Sequence, residues 1–332
     1  MRIFLYECIS AGGLGSEVPA SLRREGWGML AAIVADFQRL SDVEIVTLLD
    51  KTLPNDVGHV CHRIPTEDEW PRFREIAGEC DYTLVIAPEF DDLLEIRSQA
   101  VLDAGSELLG SHPDAIRLTA DKLATADFWQ QRGVRHPRTD SVDLVTFAAF
   151  PGPWVMKPRF GAGSQATFLI RNRGDELNAW APAFHECPDE EFMVQPYVRG
   201  QAASVALLMS PTQSIPLLPA RQHLSRDGRF RYQGGSLPLP KLLAERAIQL
   251  ALKAVAGIEG LRGYVGVDLI LGDTGEDYAI EINPRLTTSY LGLRQLCQQN
   301  LADLILRLAQ GETILPPTWN AGALQFGCDA IV

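Results

Sequence analysis

Apolar residues in the first 110 positions occur in short runs that alternate with stretches of helical spacing. Short β-type runs cover 1–9, 43–48 and 82–87, whereas residues 20–40 carry apolar side chains at the spacing of an amphipathic helix. A further helix is predicted at 93–104 and a short strand at 107–109. Strands that alternate with helices in this way predict a mainly parallel α/β domain over residues 1–110.

The rest of the chain mixes short strands, glycine-rich turns and helices, which is typical of an α+β fold. Strands are predicted at 154–158, 166–170, 191–198 and 203–209, and helices at 125–131, 242–256 and 301–309. Ser111 or Asp114 is expected to cap a helix that carries Lys122. We expect two further units, one over residues 111–190 and one over residues 191–332.

A hairpin near the C-terminal end carries the most informative polar residues. Two apolar runs flank a Gly- and Asp-rich turn centred between Thr274 and Gly275, which places Asp268 opposite Glu281 and puts Asn283 on the same face. Two facing carboxylates repel unless a cation lies between them. Oxygen ligands favour Mg²⁺, so we expect a metal at these three residues; a solvent-facing polar row is the alternative.

Lys157 precedes a flexible loop that suits phosphate binding. Gly161, Ala162, Gly163 and Ser164 let backbone N–H groups approach an anion, while the lysine ammonium supplies charge. The loop is not a Walker loop, in which lysine follows the glycines and a helix begins. A glycine hairpin with a surface lysine is the alternative.

Other polar residues are open to two interpretations each. The loop at 10–16 lacks the third glycine of the dinucleotide fingerprint, which favours a turn that lines a ligand site. Glu7, Asp50 and Glu89 lie at or near carboxyl ends of strands, where open α/β sheets bind ligands, and caps are the alternative. Residues 221–231 hold four arginines and one acid, either as a solvated hairpin or as an anion-binding loop.

Composition limits the classes of function. The 332 residues have a net charge of −12, which argues against nucleic-acid or anionic-membrane partners. No apolar run approaches the roughly 20 residues of a membrane span, and the N-terminus does not resemble a signal peptide. We therefore expect a cytoplasmic protein whose six scattered cysteines are reduced and which lacks a zinc motif.

The order of these parts resembles the ATP-grasp superfamily over residues 111–310. The features that carry the resemblance are Lys122, Lys157 with its glycine loop, the segment 195–198, Asp268, and the motif Glu281-x-Asn283-Pro284-Arg285. The resemblance implies an N-terminal pre-ATP-grasp domain followed by two α+β subdomains that clamp ATP.

The resemblance also implies roles for individual residues. Lys122 and Lys157 would contact the α- and β-phosphates, and residues 161–164 would cover the γ-phosphate. The backbone of Gln195, Pro196, Tyr197 and Val198 would hold adenine, and Gln201 stands where many members place an acid that binds ribose. Asp268, Glu281 and Asn283 would hold two Mg²⁺ ions, for which Mn²⁺ is an alternative.

A narrower likeness is to the tyramine–glutamate ligase group of methanofuran biosynthesis. It is carried by residues 7–13, 87–90, 200–205, 263–268 and 283–290. It implies that a carboxylate attacks the γ-phosphorus of ATP and that an amine then displaces phosphate from the acyl phosphate. Glutamate and a primary amine such as tyramine are the expected substrates; another amino acid, a dipeptide or a non-catalytic nucleotide-binding protein are the alternatives.

Arg285 and Lys157 are the expected catalytic residues. The planar guanidinium of Arg285 suits the acyl-phosphate oxygens, and a salt bridge to a metal-site acid is the alternative. Because an amine substrate is cationic, we expect it beside Glu7 and Glu89, with the acid substrate on the arginine side. A homodimer is left open.

Overall fold

The computed structural model describes residues 1–15, 18–142 and 152–327, and its N-terminal unit is built on one parallel sheet. The strands of this unit are β1 Arg2–Glu7, β2 Glu44–Asp50, β3 Val60–Ile64, β4 Tyr82–Ile86 and β5 Glu107–Leu108. Its helices are α1 Ala20–Phe37, α2 Glu69–Glu79 and α3 Leu93–Asp103, with 3₁₀ turns at Thr66–Asp68 and Phe90–Asp92. All strand pairs are parallel in the order β3-β2-β1-β4-β5, which confirms the predicted sheet.

The sequence analysis predicts no element between residues 51 and 81, where β3 and α2 occur. β3 is an edge strand whose five residues are all half-buried, and it includes His62 and Arg63. A strand of this kind lacks both the continuous apolar run of a central strand and the strict alternation of a half-exposed one. Pairing with β2 therefore forms an element that local pattern does not reveal.

A four-stranded antiparallel sheet, called the lid sheet below, forms the second unit. Its strands are β6 Asp140–Ser141, β7 Trp154–Pro158, β8 Phe168–Ile170 and β9 Phe192–Pro196, and its helix is α6 Arg173–Glu186. The strand order is β6-β9-β7-β8. Because β9 pairs with both β6 and β7, this sheet extends to Pro196, one strand beyond the predicted boundary at residue 190.

The third unit is a larger antiparallel sheet with helices on both faces. Its strands are β10 Gly200–Met209, β11 Ser214–Pro216, β12 Ala220–Leu224, β13 Tyr232–Leu237, β14 Gly263–Gly272, β15 Asp277–Asn283 and β16 Leu324–Phe326. Its helices are α7 Lys241–Val255, α8 Tyr290–Leu296 and α9 Leu301–Ala309. The main path runs β15-β14-β10-β12-β13-β16, and β11 pairs with β10.

Side chains alternate along β10 between two apolar cores. Val205 and Leu207 face a core that contains α7, whereas Ala206 and Leu208 face a core shared with α1, α8 and α9. The N-terminal unit is thereby packed directly against the larger sheet. Within the described ranges, no helix is both long enough and apolar enough to cross a membrane.

Two short helices link the N-terminal unit to the others. α4 Pro113–Ala120 and α5 Lys122–Gln131 pack with α7 on the larger sheet, since Ala115 and Trp129 belong to the core that contains α7. Residues 113–131 therefore pack with the larger sheet, whereas the sequence analysis grouped them with the lid strands.

The helix that carries Lys122 has a different cap from the expected one. Asp121 accepts hydrogen bonds from the backbone N–H groups of Leu123 (3.0 Å) and Ala124 (3.1 Å). Ser111 and Asp114 lie at the start of α4 instead, where the His112 side chain is the cap. The expected Ser111 or Asp114 cap is wrong because residues 113–131 form two helices that break at Asp121.

The cysteines in the described part of the chain are Cys8, Cys61, Cys80, Cys187 and Cys297, and all of them are free. The expectation of reduced thiols is therefore met there. Cys328 and Ser16 of the 10–16 loop lie outside the described residues.

A buried polar cluster links α1 to α8 through hydrogen bonds. The Asp36 carboxylate accepts hydrogen bonds from the Tyr290 hydroxyl (2.7 Å) and from Nε (2.8 Å) and Nη2 (2.6 Å) of Arg294. Only 4% of the Asp36 side chain is exposed, so its charge depends on these partners.

We expect Asp36→Ala to lower the free energy of unfolding by about 3 kcal/mol, because it leaves the Arg294 guanidinium without its buried partner. Urea unfolding measures this loss. Asp103→Ala is the matched control, since Asp103 is exposed at the end of α3, and we expect its effect to stay within about 0.5 kcal/mol. Equal midpoints for the two variants would contradict a stabilising role for the cluster.

Candidate active site

A cavity of about 250 Å³ lies between the lid sheet and the larger sheet. The structure brings nearly all of the predicted site residues to its walls. These are Lys122, Lys157, Gly161, Ala162, Gly163, Ser164, Gln195, Pro196, Tyr197, Val198, Asp268, Glu281, Asn283 and Arg285. Residues that lie up to 163 positions apart in the sequence thus meet in one site (Lys122 and Arg285).

Gln201 is the predicted site residue that the cavity does not include. Its neighbours Ala202 and Ser204 line the cavity, whereas the Gln201 amide donates to the Ala202 carbonyl at 2.8 Å. Successive side chains of a strand point to opposite faces, so Gln201 faces away from the cavity while Ala202 faces it. The structure therefore does not bring Gln201 to the cavity, and its predicted contact with the nucleotide stays a prediction.

The hairpin that carries Asp268, Glu281 and Asn283, called the metal-binding hairpin below after the prediction made for it, is formed by β14 and β15. Asp268 lies opposite Glu281 and Gly266 opposite Asn283, which confirms the predicted pairing. A β-bulge follows, because Leu269 pairs with Ala279 and leaves Ile280 as the extra residue. The register near the turn therefore differs by one residue from a regular hairpin.

The carboxylates of Asp268 and Glu281 are half-buried and lie close enough for their negative charges to repel. Burial, followed by the charge of Glu281, raises the pKa of Asp268 well above its ordinary value. Burial would also raise the pKa of Glu281, but the positive charges of Lys122 and Lys157 lower it overall. The charged form of Asp268 is therefore disfavoured, at a position where a divalent ion would stabilise it.

The donor set around this pair fits Mg²⁺. Asp268 accepts hydrogen bonds from the Gln222 amide (2.8 Å) and the Asn283 amide (3.2 Å), so Asn283 also lies within reach of a shared ion. No cluster of three or more His, Cys, Asp or Glu side chains forms a metal site among the described residues. Two carboxylates and one amide are what Mg²⁺ takes from a protein when phosphate and water supply its remaining ligands.

Lys157 is buried beside the carboxylate pair, with 8% of its surface exposed. Burial lowers the pKa of its ammonium to about 8, and the nearby Glu281 carboxylate limits the decrease. A buried lysine of this kind binds an anion strongly because water screens its charge only weakly. The alternative of a surface lysine is excluded by its burial.

The glycine loop lies across the cavity and is held at both ends. The Lys122 ammonium donates to the Gly161 carbonyl at 3.0 Å, and the Ser164 hydroxyl donates to the Phe230 carbonyl at 2.8 Å. Gly163 has a φ of +66°, and a Cβ there would lie 3.2 Å from a methyl group of Leu22. Glycine at this position therefore permits both the left-handed backbone and the close approach of α1.

Arg285 is paired with Glu89 from the N-terminal unit. Its Nε and Nη2 atoms donate to the two Glu89 oxygens, each at 2.9 Å; the Glu89 side chain is buried, and that of Arg285 is 13% exposed. The sequence analysis expected Glu89 and Arg285 on different sides of the site, whereas the structure pairs them directly. The partner is also not a metal-site acid, so the alternative proposed for Arg285 is wrong as well.

Glu7 and Asp50 have local structural roles, in agreement with the cap alternative. Glu7 accepts hydrogen bonds from the backbone N–H groups of Ile9 (3.0 Å) and Ser10 (2.7 Å), which fixes the backbone where it leaves β1. Asp50 accepts from the Thr52 backbone (2.8 Å) and the Thr66 hydroxyl (2.9 Å). Neither carboxylate is available for a cationic substrate.

The arginine-rich segment is a hairpin between β12 and β13. Arg229 donates to both oxygens of Glu186 at 2.7 Å and to the Thr167 carbonyl at 2.9 Å, which joins the hairpin to the lid sheet. Arg221, Arg226 and Arg231 are exposed. This arrangement favours the hairpin interpretation over the anion-binding loop.

Two residues of α1, Glu25 and Met29, also line the cavity, and the sequence analysis missed them. They lie one helical turn apart and so share a face of the helix. In the sequence, Glu25 is one of several charged residues on an amphipathic helix, and its spacing gives no indication of a site.

Comparison with known proteins identifies the family. The model of the ATP-grasp domain matches residues 119–289, and that of the pre ATP-grasp 3 domain matches residues 43–116. The chain is 31% identical over 323 residues to a tyramine–L-glutamate ligase of Methanocaldococcus fervens, covering 94% of this chain and 95% of the relative.

Solved structures share this fold. An ATP-grasp superfamily protein from Archaeoglobus fulgidus superposes with a TM-score of 0.71 at 24% identity, over 92% of this chain and 88% of that one. A biotin carboxylase–β,γ-ATP complex from Campylobacter jejuni gives a TM-score of 0.76 at 14% identity, over 97% and 74% respectively. The chain therefore belongs to the ATP-grasp family and is an ATP-dependent ligase that forms amide bonds.

Proposed function

We propose that this ligase joins glutamate to a primary amine such as tyramine through an acyl-phosphate intermediate. The observation that carries the proposal is the meeting of Lys157, the Asp268–Glu281 pair and Arg285 in one cavity. The similarity to the M. fervens ligase over nearly the whole chain supports the choice of substrates. The complete set of phosphate- and metal-binding side chains argues against a non-catalytic nucleotide-binding protein.

Phosphoryl transfer from ATP depends mainly on position and on neutralisation of charge. Asp268, Glu281 and Asn283 would hold Mg²⁺, which when bound neutralises the phosphate oxygens. Lys122, Lys157 and the backbone N–H groups of the glycine loop add positive charge and donors on the same cavity wall. The attacking carboxylate therefore meets a γ-phosphoryl group whose negative charge is largely balanced.

Arg285 is suited to hold the carboxylate and then the acyl phosphate. Its guanidinium lines the cavity, and Glu89 fixes its plane through two hydrogen bonds. A fixed guanidinium binds oxygen atoms in a defined direction and loses little entropy when it does so. When the neutral amine attacks the acyl carbon, the C–N bond forms, phosphate leaves with the electrons of the C–O bond, and the nitrogen gives up one proton to the departing phosphate.

The test is ADP release by the purified protein with glutamate, tyramine, ATP and Mg²⁺, with mass spectrometry of the product. We expect ADP and the amide in equal amounts, and no amide when any one component is omitted. No amide from any amino acid and amine in a wider screen would contradict the proposal. A cytoplasmic location, the lack of a nucleic-acid partner and a homodimer stay predictions.

Glu89→Gln is expected to raise the KM for the acid substrate by about tenfold. A neutral amide accepts hydrogen bonds from the Arg285 guanidinium less strongly than a carboxylate does, so Arg285 is held less firmly for the substrate. Steady-state kinetics with each substrate varied in turn measures the effect. Glu95→Gln is the matched control, since Glu95 pairs with Arg117 at 2.6 Å on the surface of the same unit. If the KM for the amine rises instead, Glu89 serves the amine as the sequence analysis expected.

A further inference from the structure

One face of α1 borders the cavity at the end where Arg285 lies. Glu25 and Met29 line the cavity, and Leu22 lies under Gly163 of the glycine loop. These positions share a helix face because they are separated by three, four or seven residues. Helix α1 cannot easily shift, since Asp36 near its C-terminal end is fastened to α8. The position of Glu25 at the cavity is therefore fixed by the packing of α1.

The Glu25 carboxylate lies in the cavity wall near the charges of Arg285 and Arg24. Among the described residues, no hydrogen bond or ion pair holds it, although it is half-buried and lines the cavity. The other cavity carboxylates, Asp268 and Glu281, face each other on the metal-binding hairpin. A carboxylate placed in a cavity without a partner loses hydration without compensation, unless a ligand restores it.

The charges at this end of the cavity are complementary to the two substrates. Arg285 is cationic and Glu25 is anionic, and the two interact through charge, although no direct salt bridge joins them. A carboxylate substrate is attracted to Arg285 and an ammonium group to Glu25. The carboxylate and the amine are thereby held next to each other in one cavity, and amide formation requires this proximity.

We propose that Glu25 binds the ammonium group of the amine substrate and so determines that this ligase takes cationic primary amines. The inference rests on the proposed function, since it presupposes an amine acceptor. Met29, one turn along α1, offers an apolar and polarisable contact for the carbon skeleton next to the ammonium group. Glu25 takes the role that the sequence analysis gave to Glu7 and Glu89, both of which have other partners.

The test is Glu25→Gln, which removes the charge and keeps the shape. We expect the KM for tyramine to rise by about tenfold to a hundredfold, because a charge-assisted hydrogen bond is lost. The KM values for ATP and glutamate should not change. Glu25→Asp, which keeps the charge on a shorter side chain, should recover part of the loss. Glu245→Gln on the exposed side of α7 is the control for the same chemical change and should behave as the unaltered protein does.

A second measurement uses hydroxylamine in place of the amine. Hydroxylamine is mostly uncharged above neutral pH and traps an acyl phosphate as a hydroxamate. We expect equal hydroxamate formation by Glu25→Gln and the unaltered protein, because acid activation does not use Glu25. This result also shows that the variant is folded and binds ATP.

The outcomes separate the two proposals. An unaltered protein that forms no hydroxamate with any amino acid contradicts the proposed function, whatever Glu25 does. Hydroxamate formation together with an unchanged KM for tyramine in Glu25→Gln overturns the role of Glu25. An increase in the KM for glutamate alone also overturns it, since Glu25 would then bind the ammonium group of the amino acid.

Discussion

Glu281→Gln is expected to lower kcat by about a hundredfold or more while the protein stays folded. Glutamine keeps the shape of the side chain but removes a charge that the metal needs. The unliganded protein should not become less stable, because the change also removes the repulsion between Glu281 and Asp268. ADP release at increasing Mg²⁺ concentration measures the first effect and thermal unfolding the second.

Glu276→Gln is the matched control for this variant. Glu276 lies at the turn of the same hairpin, is 58% exposed and forms a 3.0 Å salt bridge with Arg135. We expect it to retain full activity, since exposed ion pairs contribute little. Normal turnover by Glu281→Gln at saturating Mg²⁺ would show that the metal lies elsewhere.

Lys157→Met is expected to weaken ATP binding by about tenfold to a hundredfold, because a buried charge-assisted contact with phosphate is lost. The unliganded variant should melt no lower than the unaltered protein, since methionine removes the cost of burying an ammonium group. Isothermal titration calorimetry and thermal unfolding measure the two effects. Unchanged ATP affinity would place the phosphate contact on another residue. Lys241→Met is the control, because Lys241 is 90% exposed.

The same lysine makes ATP binding depend on pH. Burial lowers the pKa of Lys157 to about 8, so the ammonium is charged below this pH and loses its charge above it. We expect the Kd for ATP to rise as the pH increases through about 8, since neutral lysine attracts phosphate weakly. The Lys157→Met variant should lack this part of the pH dependence. An equal rise in the variant would assign the titration to another group.

The sequence determined the local features of this site. Asp268, Glu281 and Asn283 meet across the β14–β15 hairpin, where strand alternation predicts that they share a face, although the bulge at Ile280 shifts the register nearer the turn. Lys157 and its glycine loop are likewise contiguous in the chain. The parallel N-terminal sheet follows from the alternation of strand and helix patterns. Short-range pattern is sufficient wherever the partners lie close together in the sequence.

Tertiary structure alone decided which distant residues complete the site. Arg285 pairs with Glu89 across 196 positions, and Glu25 reaches the cavity only because α1 packs against α8 and α9. β9 joins the lid sheet through its pairing with β6 and β7, which its own sequence does not specify. The physical reason is the same in each case. Sequence periodicity reports only on residues that are neighbours in the chain. The tertiary partner of a charged or apolar side chain depends on how whole helices and strands pack together.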